Sequence, residues 1–98
     1  MKDEPLETAR LDVWLWRARF FKTRALAGKA VTKRGVRLTR FGQTRRTSKP
    51  GAGVAVGDVL TFTKGPHIEV IEVVALGERR GPASEAQGLY RSQDAEDV

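Results

Sequence analysis

The sequence predicts an α+β fold: two helices, then a run of three or four short strands, then a short C-terminal helix. Apolar residues recur at helical spacing between Leu11 and Val31, and the pattern changes to strand-like alternation after Gly35. The chain has 98 residues, of which 40% are hydrophobic, which suffices for one modest core. We therefore expect one domain with a small C-terminal appendage.

The first helix is predicted to be apolar on two sides. Thr8 is a candidate N-cap, and Asp12 places a negative charge in the early turns, where the helix dipole favours it. One face carries Leu11, Trp14, Leu15, Ala18 and Phe21. A narrower stripe, roughly opposite, carries Val13, Trp16 and Phe20. We favour core packing over base stacking for both tryptophans, and we expect Leu89 and Tyr90 to cover the second stripe.

A second helix is predicted over about residues 24–33, after a short connector at Phe21-Lys22. Thr23 can cap its N-terminus and Gly35 its C-terminus, whereas Gly28 weakens it by about 1 kcal/mol relative to alanine. The inward side is expected to carry Leu26, Ala27, Ala30 and Val31. The outer side carries Arg24, Lys29 and Lys33, so the two helices form a hairpin with a basic flank.

The strands are expected in the second half of the chain. The segment from Phe41 to Gly53 is rich in glycine and bases and is interpreted as a loop. Strands are predicted at about residues 36–39, 54–56, 59–63 and 67–76. The final helix is expected to begin near Pro82, with Leu89 and Tyr90 as apolar anchors.

The charge of this chain is strongly polarised along its length. Thirteen of its eighteen lysines and arginines lie between Arg10 and Pro50, where Asp12 is the single acid, giving +12. The remaining five bases and eleven acids give −6. Such a stretch repels itself unless a polyanion neutralises it, and nucleic acid is the commonest polyanion because phosphate contacts release counterions.

Other classes of protein are poorly supported by the sequence. Cysteine is absent, which excludes disulfides and thiolate sites, and no apolar run approaches the roughly 20 residues that span a bilayer. His67 beside Pro66 is best interpreted as a surface residue, and the glycines near Gly51 lack the lysine and helix of a P-loop. We expect no enzyme activity, cofactor, metal or membrane contact. The acidic, polar N-terminus is unlike a signal peptide, which favours a cytoplasmic protein.

Several short motifs, in order, resemble the S-four-type RNA-binding domain, also called the αL motif. They are Arg10-Leu11-Asp12, Leu15, Lys22-Thr23-Arg24-Ala25, Gly35-Val36, Lys49-Pro50 and Val56-Gly57-Asp58-Val59-Leu60. The resemblance implies a helical hairpin packed on a small twisted, mostly antiparallel sheet, with a basic two-helix surface that grips structured RNA.

Two further segments resemble the bacterial fifteen-kilodalton heat-shock protein family. They are Trp14-Leu15-Trp16 with Ala18-Arg19-Phe20-Phe21-Lys22-Thr23-Arg24, and Arg79-Arg80-Gly81-Pro82-Ala83-Ser84-Glu85-Ala86 with Leu89-Tyr90. This resemblance implies a stress-response factor that binds ribosomal RNA of free large subunits carrying peptidyl-tRNA and returns stalled subunits to use. The alternatives left open are a small basic protein that binds tRNA or DNA, and a protein-interaction module.

The resemblance also suggests boundaries. We expect a flexible N-terminus over 1–8, the RNA-binding domain over 9–63, a C-terminal strand and helix extension over 64–91, and a flexible acidic tail over 92–98. In such domains the first strand runs quickly into a tight Asn-Gly turn, whereas here a longer, more basic loop is expected over 40–47. A monomer is expected.

The candidate RNA-binding residues are bases that fixed helices and turns can present. The helix junction and its flanks supply Arg10, Lys22, Thr23, Arg24 and Lys29, followed by Arg34 and Lys49. The wider set adds Arg17, Lys33 and Arg37. The N-terminus of the second helix also offers free backbone N–H groups to a phosphate. Two alternatives stay open: Thr23 can be a cap alone, and Arg10 can pair structurally with Asp12.

Overall fold

The computed structural model describes residues 6–93 and has the predicted α+β fold. The expectations of flexibility for residues 1–5 and 94–98 lie outside the described residues. In chain order the elements are β1 (Ala9–Arg10), α1 (Leu11–Arg17), α2 (Arg24–Arg34), β2 (Val36–Arg40), β3 (Gln43–Thr47), β4 (Gly53–Val54), β5 (Val59–Lys64), β6 (His67–Val73), α3 (Ala83–Ala86), a 3-10 turn (Gln87–Leu89) and β7 (Tyr90–Ser92).

All strand pairs are antiparallel. One sheet has the order β3-β2-β5-β6-β7, and β1 pairs separately with β4. The core lies between this sheet and the helical hairpin. Its fully buried side chains include Leu11, Trp14, Leu15, Val31, Leu38, Leu60, Ile71 and Val73. Trp14 belongs to this core as predicted, and its indole N–H donates to the Ala75 carbonyl at 2.9 Å.

Helix α1 begins later than the Thr8 cap would require, so that prediction was wrong. The helix starts at Leu11 after the extended residue Arg10 and has no side-chain cap. Its first N–H groups are satisfied by a distant loop: Leu11 donates to Ala52 O at 2.8 Å and Asp12 to Pro50 O at 3.0 Å. The 50–53 segment therefore takes the place of a local N-cap.

The connector between the helices is longer than Phe21-Lys22. Helix α1 ends at Arg17, and Arg19 has a left-handed φ of 66°. Phe20 lies beyond the end of the helix but folds back into the core, and its N–H donates to Leu15 O at 3.0 Å. This explains why the helical apolar spacing in the sequence extends past Arg17. The predicted cover of the second stripe is confirmed for Phe20, whose ring centroid lies 4.7 Å from that of Tyr90.

Helix α2 has the predicted caps. The Leu26 N–H donates to the Thr23 hydroxyl oxygen at 3.0 Å, and Gly35 follows the helix with a φ of 77°. The buried side is narrower than predicted. Ala27 and Val31 are buried, but Leu26 is 47% exposed because the helix packs through a single i, i+4 row.

The loop predicted over 41–53 is partly wrong. Residues 43–47 form β3, which pairs with β2 in register from Val36↔Thr47 to Arg40↔Gln43. The two strands are joined by a tight turn at Phe41 and Gly42, which have φ values of 52° and 78°. A two-residue turn with both residues left-handed suits the twist of a β-hairpin. The longer loop expected over 40–47 is therefore also wrong, because these residues form strand ends and a tight two-residue turn.

At the C-terminal end, β6 stops at Val73 instead of Leu76, and the chain then crosses to α3. We expected flexibility over 92–98, but Ser92 belongs to β7 and the Gln93 N–H donates to Val70 O at 2.8 Å. Across residues 6–93, no helix is long and apolar enough to cross a membrane.

Candidate nucleic-acid interface

The start of helix α1 carries a charge pair that faces the second helix. Arg10 donates to both carboxylate oxygens of Asp12, from Nε and from one terminal nitrogen, each at 3.0 Å. The Arg10 side chain stays 55% exposed. Burial alone would raise the pKa of Asp12, but hydrogen bonds from Arg10 and the Val13 N–H, with the charges of Arg10 and Arg24, hold that pKa below its ordinary value. Asp12 is therefore ionised at neutral pH and orients Arg10.

Next to this pair lies a broad, shallow depression of about 810 Å³ between α1, α2 and the 50–53 segment. It is lined by Arg10, Asp12, Arg24, Ala25, Gly28, Lys29, Thr32, Lys33 and Pro50. We call it the basic depression. Gly28 forms part of its floor, since a Cβ there would lie 3.7 Å from Pro50 and 3.8 Å from Asp12. A side chain larger than alanine at this position would fill the depression, so the glycine keeps it open.

Helix α2 supplies the rim of the basic depression through two rows of side chains. Arg24 and Thr32 share one i, i+4 row with Gly28, while Lys29 and Lys33 share the other with Ala25. The three bases are exposed and point into one concave surface. The structure thus brings together four of the candidate residues, Arg10, Arg24, Lys29 and Lys33.

The helix junction lies at the N-terminal end of this rim. Lys22 and Thr23 are both exposed, two residues and one residue before Arg24. Thr23 is a cap, as one alternative held, because its oxygen accepts the Leu26 N–H. That bond uses the oxygen as an acceptor and leaves the hydroxyl proton free to donate to a phosphate.

Arg34 and Arg37 lie at the opposite end of α2. Both are exposed, and the guanidinium of Arg46 donates to the Arg34 carbonyl at 3.0 Å. Arg46 also lies directly over Gly35, where a Cβ would approach its guanidinium to 2.6 Å. Since Arg46 pairs across the hairpin with Arg37, three arginines meet at the C-terminal end of the helix. Sequence reasoning did not include Arg46, because residues 43–47 were interpreted as a loop.

Neither Lys49 nor Arg17 lines the basic depression, but Lys49 lies next to it and Arg17 lies elsewhere. Lys49 is exposed and precedes Pro50, which lines the depression. Arg17 is not brought to this surface. Its guanidinium donates to the carbonyls of Leu76 at 3.4 Å and Gly77 at 2.9 Å.

Arg17 is one of three arginines that fasten α1 to the C-terminal extension. Arg19 donates to Gly81 O at 2.7 Å, and Arg80 donates to Trp16 O at 3.1 Å. The carbonyls of Leu76, Gly77 and Gly81 lie outside helices and strands, whereas Trp16 O, at the end of α1, also accepts the Arg19 N–H at 3.0 Å.

Arg40 also has a structural partner. Its guanidinium donates to both carboxylate oxygens of Asp58 at 2.8 Å, and Asp58 is 1% exposed. The hydrogen bond from Arg40 and the charge of Asp58 outweigh the effect of burial and raise the pKa of Arg40. Asp58 also accepts the Ala55 N–H at 2.8 Å. The pair fixes the end of β2 to the turn before β5.

The arrangement suits the binding of phosphates on a rigid, open surface. It offers guanidinium forks, ammonium groups and a hydroxyl, and these donors match phosphate oxygens. Within residues 6–93, histidine and acidic side chains do not gather in groups of three or more that could hold a metal ion.

The comparisons with known proteins agree on one family. No family profile matches the chain. The chain is 43% identical over 98 residues to heat shock protein 15 of Escherichia coli K12, covering all of this chain and 69% of that protein. It is 38% identical over 94 residues to the heat shock protein 15 homolog of Aeromonas salmonicida, covering 93% of this chain and 67% of that protein.

A solved structure supports the fold assignment. The trimeric structure of Vibrio cholerae heat shock protein 15 superposes with a TM-score of 0.72 at 38% identity, covering 89% of this chain and 83% of that one. The helical hairpin on an antiparallel sheet and the matches over nearly the whole chain confirm the resemblance of the sequence. The chain belongs to the heat shock protein 15 family of S-four-type RNA-binding domain proteins.

Proposed function

We propose that this chain binds structured RNA through the basic depression, and that the RNA is ribosomal RNA of the large subunit. One observation carries the proposal: Arg10, Arg24, Lys29 and Lys33 line a single concave surface, with Lys22 and Thr23 at its end. Asp12 lies inside the same surface, but its carboxylate is already held by Arg10 and the Val13 N–H. The surface therefore presents excess positive charge to a ligand.

The shape of the depression favours a folded RNA. Double-stranded RNA is recognised mostly through its shape, phosphates and 2′-hydroxyls across a wide, shallow minor groove. On the α2 rim, Arg24 lies five residues before Lys29, and Lys29 and Lys33 are at i, i+4 spacing, so these bases can contact successive phosphates while the hydroxyl of Thr23 donates to another. Backbone N–H groups of Arg24 and Ala25 at the start of α2 add donors of the kind that phosphates use.

The finer role follows from the family resemblance of residues 14–24 and 79–90. We propose that the target is the free large subunit carrying peptidyl-tRNA, and that binding serves the rescue or recycling of stalled ribosomes in the cytoplasm under stress. The proposed action is binding without catalysis. The trimer of the Vibrio cholerae relative favours self-association over the monomer we expected from the sequence.

The proposal is tested by reversing two charges on the rim, Arg24→Glu with Lys29→Glu. Both side chains are exposed, so the fold is expected to survive, and co-sedimentation with free large subunits should be lost. With about five engaged phosphates, the wild-type chain should bind structured ribosomal RNA with a log–log salt slope of roughly −3.5 to −4.5. The variant should lose about 1.4 to 1.8 of that slope.

A matched control makes the same charge change elsewhere, Lys64→Glu with Arg79→Glu. Lys64 is exposed, and Arg79 forms a surface ion pair with Glu85, which contributes little stability. This control should bind like the wild-type chain, apart from a small non-specific loss. Equal loss in both double variants, or retained binding by the rim variant, would reject the depression as the binding surface. Tighter binding to tRNA or duplex DNA than to ribosomal RNA would reject the proposed target.

A further inference from the structure

Phe41 is exposed at the tip of the β2–β3 hairpin in a way that the fold does not require. Its side chain is 86% exposed, more than any other large apolar residue among those described, the next being Ile68 at 72%. Burial of this ring therefore contributes little to the stability of the domain.

The backbone of the turn also argues against phenylalanine at this position. Phe41 has a φ of 52°, in the left-handed region that bulky residues avoid, and Gly42 follows at 78°. Asparagine or glycine would satisfy such a turn better than phenylalanine. Neither packing nor conformational preference accounts for the aromatic ring, whereas an exposed binding role does.

The hairpin presents this ring rigidly. Arg40, immediately before the turn, is fixed by its two hydrogen bonds to the buried Asp58. The hydroxyls of Thr39 and Thr44 form a cross-strand hydrogen bond at 2.6 Å. The tip is thus anchored on both strands, and the ring is held away from the sheet.

The hairpin carries bases on both of its faces. Arg46 contacts Arg34 O at the base of the hairpin, opposite Arg37, whereas Arg45, the next residue toward the tip, projects from the other face beside Leu38. At about 3.4 Å per residue, the turn lies roughly 14 Å beyond Arg46. Arg45 and Phe41 border a concavity of about 430 Å³ at the tip, which is large enough for a nucleobase.

We propose that Phe41 stacks on an unpaired nucleobase of the bound RNA while Arg45 contacts its phosphate backbone. The inference rests on the proposed function, because the basic depression supplies the main affinity and the hairpin tip adds recognition of a base outside the duplex. Base–aromatic stacking combined with a basic track is the usual design of surfaces for unpaired nucleotides. The domain would thereby prefer a helix with a bulged or looped base over a continuous duplex.

The test compares a continuous RNA duplex with a set of bulged stems. Each bulged stem carries one unpaired 2-aminopurine, and its position along the stem differs from one member of the set to the next. The variant Phe41→Asn removes the ring and supplies the residue that this turn prefers, so its melting temperature should equal or exceed the wild-type value. Phe41→Trp keeps an aromatic ring. Ile68→Asn is the matched control, since it removes a comparably exposed apolar side chain elsewhere on the surface.

We expect the wild-type chain and Phe41→Trp to prefer one set of bulged stems and to quench the 2-aminopurine fluorescence. Phe41→Asn should bind those stems about 5- to 150-fold more weakly and bind the continuous duplex unchanged. Ile68→Asn should behave like the wild-type chain. Equal binding of every stem by the wild-type chain and Phe41→Asn would overturn the inference and leave the proposed function standing.

Two other outcomes would also overturn the inference. Failure of the wild-type chain to bind any stem would overturn the proposed function together with this inference. A change in sedimentation of Phe41→Asn with unchanged RNA affinity would make Phe41 a contact between copies of the chain, which also overturns the inference.

Discussion

Replacing Arg40 with alanine should destabilise the fold strongly, although Arg40 belongs to the basic stretch that suggests nucleic-acid binding. Its guanidinium forms two hydrogen bonds of 2.8 Å with Asp58 and a third of 3.2 Å with Gly53 O. Truncation leaves the carboxylate of Asp58, which is 1% exposed, with the Ala55 N–H as its remaining donor among the described residues.

The expected loss follows from the cost of leaving a buried charge unpaired. Removing one partner of a buried ion pair costs about 3–5 kcal/mol, and each charge-assisted hydrogen bond contributes about 1.5–3 kcal/mol net. The Arg40 side chain is 24% exposed, so water can partly replace the hydrogen bonds that its guanidinium makes to Asp58. The expected loss of stability therefore lies at the lower end of the range of about 3–5 kcal/mol. We expect a loss of about 3 kcal/mol, which lowers the melting temperature of a domain of this size by roughly 12–24 °C.

Thermal unfolding followed by circular dichroism, with urea titration as a second measurement, tests this expectation. Arg40→Lys keeps the charge but loses the planar fork, so it should recover about half of the loss. Arg45→Ala, an exposed position on the same hairpin, should change stability by no more than about 0.5 kcal/mol. If Arg40→Ala melts within about 3 °C of the wild-type chain, the pair with Asp58 is not structural and the reasoning fails.

Three further predictions concern helix α1 and the C-terminal extension that packs against it. Asp12→Asn should cost stability at neutral pH but not in acid. The folded pKa of Asp12 lies below its ordinary value of 3.8, so the stability contributed by its ionised carboxylate is complete above pH 3.8 and disappears as the pH falls through the folded pKa. Urea titrations of both proteins at about pH 7 and about pH 2 check this. The same difference in unfolding free energy at both pH values would contradict it. Tyr90→Ala should cost about 1–3 kcal/mol of stability because the Tyr90 ring covers Phe20. Truncation after Leu76 should cost more, since it removes Tyr90 together with the rest of the extension. If the truncated chain melts like the intact one, the extension does not stabilise the core.

The features that the sequence predicts correctly are those with local signals. The buried face of α1, the Thr23 cap and the Gly35 terminus each depend on residues within a few positions of one another. The Thr8 cap failed because the first N–H groups of α1 are satisfied by Pro50 and Ala52, which lie about forty residues away. No local pattern encodes such a contact.

Strand β3 was missed for a different reason. Its sequence, Gln43 to Thr47, contains no apolar residue, so it lacks the alternation by which a half-buried strand is predicted. Phe41-Gly42 is also an unusual dipeptide for a tight turn. The strand forms because its partner β2 is held in the sheet by β5, and this is a tertiary effect.

The basic stretch divides into bases that hold the fold and bases that remain exposed; arginines occur in both groups, whereas all four lysines are exposed. Several of its arginines are engaged by carboxylates or carbonyls elsewhere in the chain, namely Arg10, Arg17, Arg19, Arg40 and Arg46. Its four lysines, at positions 22, 29, 33 and 49, are exposed and donate no side-chain hydrogen bond to residues 6–93.

This division has a physical cause. The planar guanidinium donates in fixed directions and can satisfy several acceptors at once, whereas an ammonium group is a strongly hydrated point charge that stays in water. The +12 of the stretch therefore overstates the charge that a ligand can neutralise. If all thirteen bases engaged phosphates, the salt slope would be roughly −9 to −12, but a slope near −4 is expected because about five bases share the basic depression and its end. The salt dependence of RNA binding thus measures how many of these bases hold the fold and how many remain to bind.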